Sequence, residues 1–138
     1  MIDLTRQEIE DFLDQQMVGR LGCHDEHGIY VVPLIYARLG KALYMLTTEG
    51  RKIHAMRKNP AVSFEVDHYD GATGSWQSVV VQGRFEELTG DGKSEAQGIL
   101  AKRHGSRRTS MAMPAVVQPI VAFRVLIDSA SGRAVRRG

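Results

Sequence analysis

The apolar positions of the chain change period several times, and those changes mark its elements. Ile9, Phe12, Leu13 and Met17 recur at helical spacing. Thr5 and Glu8 stand just before and within that stripe as a capping box, Thr5 as N-cap and Glu8 at the third helical position. The pattern predicts an amphipathic helix over residues 5–16. Three apolar runs with few charges follow, over 18–24, 29–37 and 42–46. Asp25-Glu26-His27-Gly28 and Arg38-Leu39-Gly40-Lys41 separate them, short polar stretches with glycine of the kind that joins hairpins. The run over 29–37 is apolar on both faces. This predicts a central strand, or a strand with one face packed on a partner or ligand. Pro33 sits in its middle and cannot donate to a ladder, so a bulge, a break or an edge position is required there.

Further on, residues 51–58 read as a short helix with Ile53, Ala55 and Met56 inward, stopped by Asn59-Pro60. Residues 61–66 are strand-like, and a polar loop leads to the longest strand candidate, 76–87. Gly83 within it predicts a bulge or a close backbone approach. Residues 93–104 read as a helix with Ala96, Ile99 and Leu100 inward, weakened by Gly98. A loop over 105–119, a last strand over 120–127 and a turn and tail over 128–138 complete the chain. About six strands joined mostly by short hairpins, with two or three peripheral helices, predict a mainly β protein. The expected architecture is an antiparallel barrel rather than a doubly wound sheet. No repeat, linker or low-complexity tract divides residues 1–138, which are expected to form a single domain.

Composition changes this picture little. At 138 residues the chain can bury a core, and its 43% hydrophobic and 25% charged residues are ordinary for a globular domain. The net charge of +2 and scattered basic residues give no footprint for nucleic acid. No apolar run approaches the ~20 residues of a membrane span. The acidic, amphipathic start does not have a signal-peptide pattern. Cys23 is the only cysteine, which excludes an internal disulfide and fits a reducing, cytoplasmic compartment. It lies in a strand pattern away from any cluster of cations, so an inert buried thiol is expected.

The candidate chemistry lies at residues 47–52. Arg51 and Lys52 occupy the first turn of the predicted helix, where the helix dipole disfavours cations by about 0.3–1 kcal/mol each. An anion bound there would remove the conflict. Free helix N–H groups, the Thr47 and Thr48 hydroxyls and two cations would together form a phosphate site. A solvated basic helix start satisfies the same pattern, and local sequence does not separate the two. His24, His27, His54 and His68 have no ligand spacing, so no metal site is expected. No nucleophilic triad or glycine-rich nucleotide motif is present.

The succession GRLGCHDEHGIYVVPLIYARLGKALYMLTTEGRKIHAMRKNPAVSFEVD, followed by WQSVVVQGRFEEL, resembles the FMN-binding split-barrel family of pyridoxamine 5'-phosphate oxidase. It is most similar to the small branch that includes the 5-nitroimidazole reductases. The resemblance implies a six-stranded antiparallel split β-barrel that forms a homodimer with FMN in two clefts at the interface. Thr47, Thr48, Arg51 and Lys52 fall where the family holds the flavin phosphate. Pro33, Leu34 and Ile35 fall on the strand that lines the isoalloxazine ring, and Trp76 and Ser78 on the strand that closes the cleft. Pro33 stands where the oxidase has an arginine, and Met45 near a position where the nitroimidazole branch has a histidine. The implied activity is an FMN-dependent oxidoreductase passing electrons from a reduced nicotinamide to a small acceptor. A non-catalytic module for flavin, deazaflavin or haem is the alternative.

Overall fold

The structure is a computed structural model that describes residues 1–105 and 119–137. Eight strands form one antiparallel sheet: β1 (Ile2–Asp3), β2 (Val18–Asp25), β3 (Gly28–Ile35), β4 (Ala37–Leu39), β5 (Ala42–Thr48), β6 (Ala61–Tyr69), β7 (Trp76–Leu88) and β8 (Ile120–Val135). Three helices accompany them: α1 (Arg6–Gln15), α2 (Arg51–Lys58) and α3 (Asp91–His104). The strand order is β3-β2-β6-β7-β8-β5-β4, with β1 on β8. The ends of this order do not pair, so the sheet is an open, split barrel. β1 and β4 are only two and three residues long, and the six longer strands are those the sequence pattern predicts.

Local signals act as expected. The Thr5 hydroxyl accepts the Glu8 N–H, and the Glu8 carboxylate accepts the Thr5 N–H, which completes the capping box. Ile9, Phe12 and Leu13 of α1 enter the core. α2 buries Ile53, Ala55 and Met56 and ends at Asn59. The core is lined by Leu21, Phe64, Val66, Val79, Val81 and Phe123, among others, all closed to solvent. A smaller cluster of Ala42, Tyr44, Ala96 and Ala122 seats α3 on the far side of β5 and β8.

Two expectations fail. β3 is not a central strand but the end of the sheet, with Ile29 82% and Val31 61% exposed. Its inner face packs on the core through Tyr30 and Leu34, so only the outward Ile29 and Val31 are not accounted for by burial within one chain. The edge position also resolves Pro33, which pairs with Arg20 in an unbroken register. An edge strand has one side without ladder bonds, where a missing N–H costs nothing. The second failure is at the C-terminus. Ser129–Val135 is not a turn and tail but the second half of β8, paired with Trp76–Gln82 of β7. Its Ser-Ala-Ser-Gly sequence lacks apolar alternation, and long-range pairing with β7 and β1 overrides that weak propensity. The loop expected over 105–119 lies almost wholly outside the described residues.

Gly83 marks a register shift in the β7–β8 ladder, between Gln82 and Gly83. A Cβ there would stand 2.4 Å from the Leu126 carbonyl oxygen and 2.7 Å from Val125 Cγ1. Backbone cannot yield as a side-chain tip can. Gly83→Ala is expected to destabilise the fold by about 1–3 kcal/mol, the usual cost of overpacking. Denaturant unfolding checks this: the midpoint should fall with the slope unchanged.

Candidate functional site

β5 ends at Thr47-Thr48, and Glu49-Gly50 turns the chain into α2. Both threonines are buried, the most enclosed polar side chains among the described residues. Neither hydroxyl has a hydrogen-bond partner among the described residues, and neither oxygen is a buried orphan, a condition found there only at Glu65 Oε1. Gly50 is the N-cap of α2 and offers no side-chain cap, and the first helical bond is from His54 N–H to the Gly50 carbonyl. The N–H groups of Arg51, Lys52 and Ile53 therefore have no helical acceptor. α1, by contrast, carries its own cap. The sequence reading placed Thr47, Thr48, Arg51 and Lys52 together, and the fold brings them together at this turn.

The electrostatics differ from the simple picture of two free cations. The β2–β3 hairpin delivers Asp25 to α2. Arg51 donates from Nε to Asp25 Oδ2 at 2.8 Å and from Nη2 to Oδ1 at 3.0 Å, a bidentate pair. Its guanidinium also lies 4.6 Å from the Tyr30 ring centre, over the aromatic face. The Arg51 hydrogen bonds hold the Asp25 carboxyl down at about 2, with the His27 N–H assisting, and raise Arg51 in turn. Part of the dipole conflict at the helix start is thus relieved from within the chain. Lys52 has no ion-pair or hydrogen-bond partner among the described residues. Burial lowers its ammonium pKa, as expected for a cation short of both water and counter-charge. Cys23 is buried, and burial followed by Asp25 raises its thiol; the Arg51 and Lys52 charges act the other way, so the cations expected to lie away from this thiol do reach it.

The remaining sequence-predicted residues lie elsewhere. Pro33, Leu34 and Ile35 continue along β3. Ile35 is five residues beyond Tyr30, or roughly 17 Å at the usual strand rise. Leu34 leans on the core, whereas Pro33 is exposed on the outer face. Trp76 and Ser78 open β7, where they pair with Tyr69 and Asp67 of β6. β6 and β2 separate β7 from β3, so the two sets stand about 14 Å apart across the sheet at the usual strand spacing. One chain alone does not bring Trp76 and Ser78 to the α2 start. Asp25 and Tyr30 do reach it, although the sequence marked the first only as part of a turn and the second only as part of an apolar run. Nothing in their spacing from Arg51 signals the contact, which depends on how the hairpin docks.

The outer face also holds Glu65, between β2 and β7. Its Oε1 is buried without a hydrogen bond, 3.5 Å from Arg20 Nη1, while Arg20 donates instead to Asp67 Oδ2 at 3.2 Å. Desolvation first and the neighbouring Asp67 second push the Glu65 carboxyl up to about 7. The folded state thus holds this proton more tightly than the unfolded chain. The resulting stability is full below the ordinary carboxylate range and is lost as pH rises through 7. Glu65→Gln keeps the shape and removes the charge. It is expected to raise the melting temperature at pH 8.5 and to leave it nearly unchanged at pH 4.5, as thermal unfolding at the two pH values would show.

Comparison with known proteins places the fold. Residues 5–134 match the family model described as pyridoxamine 5'-phosphate oxidase. An uncharacterized protein of Rhizobium meliloti is 29% identical, over 98% of this chain and 95% of its own length. A crystallised FAD-binding protein from Mesorhizobium loti is 37% identical, covers 98% of both chains and superposes with a TM-score of 0.86. A candidate 5-nitroimidazole antibiotic resistance protein from Bacteroides thetaiotaomicron shares the fold, with 21% identity, 96% and 86% coverage and a TM-score of 0.78. With the match running through nearly every described element, from the α1 cap to the end of β8, this chain belongs to the pyridoxamine 5'-phosphate oxidase family.

Proposed function

We propose that this chain binds a flavin nucleotide, FMN or FAD through the FMN half it contains, and works as an oxidoreductase. The observation that carries the reading is the α2 start. Uncapped N–H groups and an unpaired, partly desolvated Lys52 stand there, one turn after Thr47 and Thr48, whose side chains leave the end of β5 on opposite faces. That donor set fits a phosphate: it supplies hydrogen-bond donors and positive charge, and the two carboxylates of the region are engaged by arginines, Asp25 by Arg51 and Glu49 by Arg57. When bound, the flavin would supply the redox chemistry, passing electrons from a reduced nicotinamide to a small acceptor. Lys52 and the α2 amides would anchor its phosphate, and the unpaired edge of β3 at Pro33, Leu34 and Ile35 would present backbone groups to its ring. Met45, near the position of a histidine in the nitroimidazole branch, is fully buried in the core and offers no proton to a substrate.

The assembly that suits this reading is a homodimer. Ile29 and Val31 project from an outer face that carries an open groove of about 710 Å³, lined also by Gly22, His24, Ser63 and Gln82. A second copy covering that face would bury the exposed apolar residues. It would also supply the Trp76 and Ser78 that one chain leaves remote from the α2 start.

Titration of the purified protein with FMN and riboflavin, followed by flavin fluorescence, tests the reading. A hydrogen bond to a charged group contributes about 1.5–3 kcal/mol, so Lys52→Ala should weaken FMN roughly ten- to a hundred-fold. Riboflavin has no phosphate and should bind the variant as it binds the wild type. Equal losses for both would assign Lys52 to the fold, and no binding of either would end the flavin proposal. Sedimentation at micromolar concentration should give a dimer, and a clean monomer of 15.3 kDa would refute the assembly.

A further inference from the structure

Register across the outer face places Pro33, Arg20, Glu65, Val80 and Ser131 in one row over β3, β2, β6, β7 and β8. Glu65 is the middle of that row, on the face from which Ile29 and Val31 project. Asp67 follows it on the same side of β6, two residues on. Arg20 is the cation that both carboxylates meet, at 3.5 Å from Glu65 and 3.2 Å from Asp67. It donates to Asp67 and leaves Glu65 Oε1 buried without a donor. Protonation resolves the conflict, because it makes the Glu65 carboxyl a donor with Asp67 in hydrogen-bonding reach. In a single chain, burial first and Asp67 second already push this carboxyl up to about 7. Its side chain is nevertheless 33% exposed, so a surface that covers the face has water left to remove. Desolvation disfavours the charged form. A covered Glu65 therefore holds its proton more tightly than an open one.

We propose that Glu65 and Asp67 form a proton-sharing acid pair at the seam between two copies of this chain, and that this pair makes the dimer proton-linked, tight when Glu65 is protonated and loosened when it ionises. The inference rests on the homodimer reading above and adds the regulation of that surface. An isologous contact brings two such pairs, one from each copy. Ionised Glu65 in the covered seam would stand beside Asp67 with one arginine for both, a buried charge short of counter-charge. The dimer thus binds more protons than two separate chains. Its added stability is full below about 7 and is lost as pH rises through the higher value of the covered carboxyl. The other titratable or charged groups of this face are Tyr69 on β6, His24 on β2, Arg84 on β7, and Asp128 and Arg133 on β8, and β3 brings none to it. Among them His24 is the group that changes charge near neutrality. Covering a histidine favours the uncharged ring, so its effect on the dimer has the opposite sign.

Sedimentation of the wild type and Glu65→Gln from pH 6.0 to pH 8.5, at concentrations spanning the dissociation constant, tests it. Urea is added equally to all samples where dilution alone leaves the dimer intact. Any bound flavin phosphate ionises alike in both proteins, so the difference between them isolates Glu65. Each unit by which covering raises the carboxyl is a tenfold change per site. The wild-type dissociation constant should therefore rise roughly ten- to a hundred-fold from pH 6.0 to pH 8.5. That of Glu65→Gln should stay level or fall. Dilution calorimetry of the wild type at pH 7.5, in two buffers of different ionisation heat, needs no variant and should show protons released on dissociation. A wild-type dimer indifferent to pH, or one that weakens equally in Glu65→Gln, would overturn the role of Glu65 with the dimer itself intact. A monomer at pH 6.0 at every concentration would overturn the assembly and this inference with it.

Discussion

The position of the α2 start is set by the antiparallel ladder between β7 and β8. β8 pairs with β7 from Ala122 to Val135, and its first half pairs with β5 on the other side. The end of β5 is thereby fixed: Thr47 lies opposite Val121 and Thr48 opposite Ile120. β7 in turn fixes β6, in a register that runs from Ala61–Arg84 to Tyr69–Trp76. α2 spans the gap between the end of β5 and the start of β6, so both of its attachment points are dictated by the same ladder. The Phe85 N–H donates to the Pro60 carbonyl at 2.8 Å and ties the exit of α2 to β7 directly. The Gly83 bulge lies two residues before Phe85 on β7. Its lack of a side chain lets β8 approach closely where the ladder shifts register.

Within that frame, the apolar face of α2 supplies the adhesion and its charges set the azimuth. Ile53 and Met56 are closed to solvent and Ala55 nearly so. Arg57, in the last turn, donates to both Glu49 and Glu87 at 2.7–3.1 Å and bridges the loop before the helix to β7. Such a surface network adds modestly to stability, but it restricts rotation of the helix about its axis. With Arg57 engaged on one side and Arg51 on Asp25 at the other end, Lys52 is the cation of this helix start left without a protein counter-charge. Its availability follows from the pairing of its neighbours rather than from any property of lysine itself.

What the sequence made legible was local. The α1 capping box, the bounds of α2, the hairpin after β2 and the special status of Gly83 each rest on residues within a few positions of one another, and each is found where the pattern put it. Strand order and edge status are not local quantities. The apolar 29–37 run looks central by composition, but β3 ends the sheet, because a face reserved for another surface and a face buried in the chain look alike in sequence. The second half of β8 failed for the opposite reason. Its Ser-Ala-Ser-Gly stretch carries turn residues, and only pairing with the distant β7 makes it a strand. At the candidate site the cluster of Thr47, Thr48, Arg51 and Lys52 was legible because one turn holds it. Asp25 was not, since it stands 26 positions before Arg51 in the chain.

That unforeseen carboxylate bears on how a ligand site can coexist with a stable empty fold. Two adjacent cations at the positive end of a helix dipole repel each other and the helix, and a ligand would be the only remedy if the chain provided none. Asp25 relieves part of that penalty at Arg51 without filling the site, because its carboxylate engages the Arg51 fork and leaves the α2 amides and Lys52 without a partner among the described residues. The Tyr30 ring supports the same guanidinium from its face, which fixes the fork in one plane. The arrangement makes folding less dependent on cofactor. It also commits the Arg51 fork to the protein, so a ligand at this helix start would meet Lys52 and the α2 amides first.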